Sequence, residues 1–276
     1  MNDYVIIKAK TGLSLETTGR IGSVAIGLGE ILSDEKTFSA PLRHSAELFD
    51  SIIELLEKSE KKAKKISYVY ISIGPGSFTG IRISVTVAKM MALAAQCKIV
   101  AVNTSDAMAL NVYPAPIALC RNQNEIASKN TKRTDPYFEI TQNNRCGVDD
   151  SNIKKIATVI DAKRGQFFIA VFKRENSTWE KILADCMLTA EQFKEKFDNE
   201  PIWLLGEGLL YYAKKFETDN IKILDDKCWS PRASNVFRIG SQMAAEGKFA
   251  DPVSLVPFYI RRPEAEENWE KKISIL

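Results

Sequence analysis

A single histidine, His44, is all that this chain of 276 residues carries. No metal site that needs two imidazoles, such as a His-x-x-x-His helix, can be assembled from it. The five cysteines (Cys97, Cys120, Cys146, Cys186 and Cys228) are odd in number and widely spaced. None stands in a Cys-x-x-Cys pair, so reduced thiols are expected. Charge of one sign is scarce as well: 38 basic against 35 acidic residues leave a formal net charge of +3, too little to imply nucleic-acid binding by itself. No apolar run reads as long enough to span a bilayer, and Met1-Asn2-Asp3-Tyr4 has neither a basic start nor a long apolar stretch. A cytoplasmic protein without a membrane partner is expected. The glycine-rich loop Gly74–Gly80 lacks the Gly-Lys-Ser/Thr ending of a P-loop, so no lysine is fixed over a β-phosphate. It also fails the dinucleotide fingerprint, because Asn103 rather than an acid follows the next strand.

What is present is an ordinary apolar content of 45% and a pattern that repeats. In the first half, strands are read ending at Leu15, over Ser23–Leu28 and around Lys36–Ser39. An amphipathic helix Ser45–Ser59 follows, with Leu48, Ile52, Leu55 and Leu56 at helical spacing. Then come strand Tyr68–Ile73, helix Ile81–Gln96, strand Ile99–Val102 and a short helix after Thr104. The second half repeats the order. Strands Ala157–Ile160, Gln166–Phe172 and Lys181–Met187 precede a helix with a Thr189/Gln192 capping box. Strand Ile202–Leu205, helix Leu209–Phe216 and strand Ile221–Leu224 follow. A last helix is expected to be capped by Ser230, to carry Pro231 in its first turn and to stop at Gly247. The reading is α/β, with two duplicated lobes of βββαβαβα order, the first over residues 1–112 and the second over 113–276. A polar stretch at about 121–152 has too few apolar residues to bury and reads as a mobile insertion.

The loop Gly74-Pro75-Gly76-Ser77-Phe78-Thr79-Gly80-Ile81-Arg82 is either a tight strand-to-helix turn or a phosphate cradle at a helix N-terminus. Its wording resembles the GPGSFTG-[LI]-R signature of the TsaB family. Arg43-His44-Ser45-Ala46-Glu47-Leu48, Val159-Ile160-Asp161-Ala162-Lys163-Arg164-Gly165 and Pro257-Phe258-Tyr259-Ile260-Arg261-Arg262-Pro263-Glu264-Ala265 resemble the same family in the same order. The resemblance implies the fold of the actin, Hsp70 and sugar-kinase superfamily. It also implies a non-catalytic scaffold for a TsaD-type transferase in threonylcarbamoylation of the adenosine beside the tRNA anticodon. A TsaE-type ATPase would join, tRNA would be met through the complex, and a homodimer would form when the chain is alone. No cofactor and no metal are expected in this chain.

In ATPases of that superfamily, acidic hairpins hold magnesium and phosphates. Here Glu16, in Glu16-Thr17-Thr18, stands where relatives have Asp-Thr-Ser, and Asp161 is followed by Lys163 and Arg164. Both are read as vestigial phosphate-loop acids. The small-residue helix face is read either as lobe core or, by the resemblance, as the partner interface. That surface would comprise Leu48, Ile52, Val85, Ala88, Met91, Ala92 and Ala95. Two other functions stay open at this point. One is an independent enzyme, a sugar-kinase-like phosphotransferase or a peptidase-like hydrolase, for which a triad through His44 is a geometric option. The other is direct RNA binding through the lysines of 58–65.

Overall fold

The computed structural model describes residues 10–112, 152–175 and 178–261. The expected insertion at 121–152 lies outside them but for Asn152, as do Cys120, Cys146 and Arg262 to Ala265. All six residues of β1 (Thr11–Glu16) are buried, as are five of six in β2 (Ser23–Leu28). Both faces of their sheet are covered, so even the polar Thr11, Ser14 and Glu16 lie out of solvent. With β3 (Ile31–Thr37), β4 (Ile66–Ser72) and β5 (Lys98–Val102) they form a sheet of order β3-β2-β1-β4-β5. β1 pairs antiparallel to β2 and parallel to β4.

The second sheet repeats this arrangement. β6 (Lys155–Asp161), β7 (Phe167–Glu175), β8 (Thr178–Leu188), β9 (Ile202–Leu205) and β10 (Ile221–Ile223) take the order β8-β7-β6-β9-β10. β6 is antiparallel to β7 and parallel to β9, as β1 is to β2 and β4. Two lobes of one topology, each a three-strand meander feeding parallel crossovers, give the actin-like architecture expected from the sequence.

Helices α1 (His44–Lys58) and α2 (Phe78–Ala95) cover one face of the first sheet. Leu48 and Leu55 of α1 are fully buried there, each worth about 1.5–3 kcal/mol in transfer from water. The second sheet carries α4 (Ala190–Phe197) and α5 (Leu209–Phe216) in the same way, around Phe167, Phe193 and Phe216. Between the sheets the chain exchanges elements. Helix α3 (Thr104–Ala109) packs on β6 and β7, and α6 (Ala233–Ala245) packs on β1, β2 and β4. Residues 113–276 therefore lend their last described helix to the first sheet. Gly240 permits this contact, because a Cβ there would stand 2.5 Å from the Tyr70 ring.

Several elements depart from the sequence reading. β3 begins at Ile31 rather than Lys36, because Gly29, at φ +61°, turns the chain directly out of β2. α2 begins at Phe78, three residues early, since Ser77 Oγ accepts the Gly80 N–H at 3.2 Å and caps it. The Thr189/Gln192 capping box of α4 is formed. Ser230 does not cap α6. That helix starts at Ala233, whose N–H donates to Ser23 Oγ at 2.8 Å, while the Ser234 N–H donates to Glu35 Oε1 at 2.8 Å. The first lobe thus supplies the cap, and Glu35 places negative charge at the positive helix end. Gly247, at φ +74°, ends the helix as expected.

Cys97 and Cys186 are free thiols, but Cys228 is disulfide-bonded, against the expectation of reduced thiols throughout. Helix α2 is long and apolar enough, by length and composition alone, to cross a membrane, with mean hydropathy 1.3. The sequence reading had counted no such run. Its inner face is part of the first lobe's core.

Candidate functional site

Between the lobes lies a cleft of about 850 Å³. It gathers the signature loop, both acidic hairpins, the turn Gly206–Gly208 and the strap Phe258–Arg261. Three of the four sequence phrases that resemble the TsaB family therefore meet in one place, although they lie far apart along the chain.

The glycines of the signature loop serve close packing against protein. A Cβ at Gly80 would stand 1.8 Å from the Thr17 carbonyl oxygen, and one at Gly76 would stand 2.7 Å from that of Thr18. The Ser77 N–H donates to the Thr18 carbonyl at 2.8 Å, and Thr17 Oγ1 donates to the Gly80 carbonyl at 2.7 Å. Gly74, at φ +117°, lies under the strap, where a Cβ would meet the Phe258 carbonyl oxygen at 2.6 Å. A side chain at any of these positions would force two loops apart.

Phe78 and Arg82 of the signature hold that strap. The rings of Phe78 and Tyr259 stack at 4.8 Å. The Arg82 guanidinium sits 3.7 Å over Phe78, and its Nε donates to Tyr259 Oη at 3.0 Å. Nothing in the sequence linked position 78 to position 259; only their shared membership of family phrases marked them.

The two acids behave alike. Glu16 is fully buried and does not line the cleft. Its Oε1 accepts the N–H of Thr18 at 2.5 Å, the Thr18 hydroxyl at 2.6 Å and the N–H of Gly19 at 3.3 Å, and its Oε2 accepts the Ser72 hydroxyl. Burial pushes its pKa above the usual carboxylate range, and these hydrogen bonds pull it partly back. Asp161 lines the cleft, but the Lys163 N–H and ammonium both donate to it at 2.7 Å. Lys163, Arg164 and Gly165 all have positive φ, so the hairpin curls back onto its own acid. Each hairpin directs amide donors at its own carboxylate.

The sequence allows Gly206-Glu207-Gly208 to be a plain turn or a close approach to a nucleoside, and the structure makes Glu207 a lining residue of the cleft. Its Oε2 accepts the Arg20 N–H at 2.6 Å and its Oε1 the Ser230 hydroxyl at 2.8 Å. The carboxylate therefore bridges the lobes across the cleft, and burial pushes its pKa up. The glutamate in Gly206-Glu207-Gly208 was the available signal, since an acid between two glycines rarely serves the turn itself.

His44 is 5% exposed, packed against Phe38 and beneath Gly22. Neither ring nitrogen makes a hydrogen bond; the Gly19 backbone faces the ring without reaching bonding geometry. The Ser-His-Asp option is thereby removed, because no serine or carboxylate is paired with His44. Burial lowers its pKa. Among the described residues no group of three His, Cys, Asp or Glu side chains is placed to hold a metal.

The residues read as a partner surface divide. Leu48, Ile52, Val85 and Ala88 are buried in the first lobe's core, and Met91 and Ala92 pack against it. Ala95 is half-buried. These side chains belong to the lobe rather than to an exposed face, because their helical spacing turns them toward the sheet. The outer sides of the same helices present other apolar residues: Phe49 and Ile53 on α1, Met90 and Leu93 on α2, with Leu93 88% exposed. Lysines 61, 62, 64 and 65 are exposed, while Lys58 pairs with Glu54 at 2.9 Å.

Comparison with known proteins bears out the resemblance to the TsaB family. The family described as "TsaD: tRNA N6-adenosine threonylcarbamoyltransferase" matches residues 39–122. The Bacillus subtilis protein named "tRNA threonylcarbamoyladenosine biosynthesis protein TsaB" is 25% identical over 94% of this chain and 97% of its own length. Its Escherichia coli namesake is 24% identical over 84% of this chain and 85% of its own. The solved structure "YeaZ from Pseudomonas aeruginosa" superposes with a TM-score of 0.68 at 18% identity, covering 91% of this chain and 99% of that one. It shares the fold.

Proposed function

We propose that this chain takes part in the biosynthesis of threonylcarbamoyladenosine in tRNA, as a cytoplasmic subunit that contributes no chemistry of its own. Similarity to TsaB proteins along nearly the whole chain supports the pathway. One observation carries the non-catalytic reading: the carboxylate of Glu16 fills the place to which its hairpin's amides point. A magnesium-phosphate group needs those donors and a carboxylate open to solvent. Glu16 offers neither, and Asp161 is neutralised by Lys163. Neither hairpin thus offers the kinase-like reading a phosphate cradle.

The chain instead acts through its surface. A TsaD-type transferase docks on the outer sides of α1 and α2, where Phe49, Ile53, Met90 and Leu93 present apolar area that no described element covers. Binding there stabilises the partner's active conformation by population shift. A TsaE-type ATPase joins the complex, tRNA is met through it, and two copies of the chain pair by the same apolar face when the partner is missing.

The test is a reconstituted threonylcarbamoylation reaction with the organism's own TsaD-type protein and the remaining components. It is run complete, without this chain, and with this chain in place of the TsaD-type protein. Activity only when both are present is expected. Activity that survives omission of this chain removes the scaffold role.

A further inference from the structure

We propose that the interlobe cleft is the docking groove for the chain's own C-terminal segment, residues 262–276. The groove is apolar in its lining and cationic at its edges. Phe78, Tyr211 and Phe258 expose rings into it. Arg20, Arg82, Lys163, Arg164 and Arg261 stand around it, against two acids, Asp161 and Glu207. Asp161 and Lys163 take up each other's charge and Glu207 accepts hydrogen bonds from Arg20 and Ser230, so the rim stays cationic through its four arginines. An occupant that fits combines acidic side chains with an aromatic one.

Between Arg262 and Lys271 the sequence has that composition. Pro263-Glu264-Ala265-Glu266-Glu267-Asn268-Trp269-Glu270 holds four glutamates, one tryptophan and no cation. The chain also leaves from the right place. Arg261 lines the cleft, and its guanidinium donates to the Ala162 carbonyl at 2.9 Å. The preceding strap is fixed by the Tyr259 stack on Phe78 and by the Phe258 N–H, which donates to the Ile73 carbonyl at 2.8 Å. Eight extended residues reach about 27 Å, enough to run along the cleft from its own wall. Because the segment is tethered at the groove, its effective concentration there exceeds that of any free peptide. This inference rests on the cleft and the segment alone and stands whether or not the partner reading holds.

The experiment uses the full chain with p-benzoylphenylalanine placed at position 269, photolysed and mapped by mass spectrometry. The expected result is crosslinking within one molecule to residues 75–82 or 160–164, at a yield independent of protein concentration. In the E264Q/E266Q/E267Q/E270Q variant of the same labelled chain that yield falls by about tenfold, as expected where several ion pairs hold the segment. Hydrogen exchange on the unlabelled chain gives a second reading. Amides of 75–82 and 160–164 exchange about tenfold faster in the four-glutamine variant. Crosslinks between copies assign the groove to a neighbour's segment and overturn the proposal. Crosslinks outside the cleft, or none, overturn it too, as does a yield and exchange pattern indifferent to the four substitutions.

Discussion

Glu16 keeps its carboxyl inside the first lobe through two backbone amides and two hydroxyls, and what that arrangement contributes to stability changes with pH. Its folded pKa is raised above the unfolded 4.5. The contribution is therefore full below pH 4.5 and is lost as pH rises through the folded value. Glu16→Gln preserves the acceptor for Thr18 and Gly19 and offers a donor to Ser72. We expect the variant to match wild type near pH 4 and to be more stable at pH 8, as read by thermal melts at both values. His44 has the opposite sign. Its pKa is depressed, so its contribution is present above pH 6.5 and is lost as pH falls below it. His44→Leu removes two buried, unpaired nitrogens and should stabilise by about 1 kcal/mol. Chemical denaturation at pH 5.5 and pH 8 checks this, with the larger gain expected at pH 5.5. Neither behaviour was legible in the sequence, because burial and pairing depend on residues far along the chain. Ser72, 56 positions from Glu16, is one.

At the scale of elements, α1 and α2 each have an inner and an outer face, and the sequence revealed the first more clearly than the second. Leu48, Ile52 and Val85 recur at helical spacing because they meet the sheet. The resemblance to the TsaB family, rather than that spacing, made them a candidate interface. Strands Ser23–Leu28 and Ile202–Leu205 and helix Leu209–Phe216 have the bounds read from periodicity, since apolar runs between clear breakers leave little choice. β3 was read late because its Ser33-Asp34-Glu35-Lys36 stretch is polar, as an edge strand is. The two faces predict different outcomes for one kind of substitution. Ala88 is fully buried, so Ala88→Arg places an unpaired cation in the core and should unfold the lobe. Leu93→Arg should leave the circular dichroism spectrum and melting temperature unchanged while weakening co-purification with a TsaD-type partner at least tenfold. A folded Ala88→Arg, or undiminished binding by Leu93→Arg, would contradict this assignment of faces.

For the whole molecule, the duplicated order of elements was legible, but the exchange of α3 and α6 between lobes was not. Local periodicity marks which face of a helix is apolar without saying which sheet receives it. That exchange joins the lobes at their centre, and a polar cluster reinforces it. Asp185 on β8 accepts from Asn103 Nδ2 at 2.9 Å, from the Ser105 hydroxyl and from Lys181 Nζ at 2.8 Å, while Lys181 also meets Asp106 at 2.8 Å. Asp185→Ala strands two donors, on Asn103 and Ser105, in a partly buried site and leaves Lys181 with Asp106 alone. It should cost on the order of 3 kcal/mol, read as a lower denaturation midpoint with both lobes still melting together. The fold thus ties two lobes together while each hairpin closes on its own acid, in keeping with the proposed scaffold role. The most direct test is the rate of tRNA threonylcarbamoylation in the reconstituted reaction, with wild type replaced by a Glu16→Gln/Asp161→Asn double variant. An unchanged rate is predicted, because on the proposed reading neither carboxylate takes part in the chemistry. A rate that collapses while the variant still binds its TsaD-type partner would place chemistry in this cleft and contradict the account.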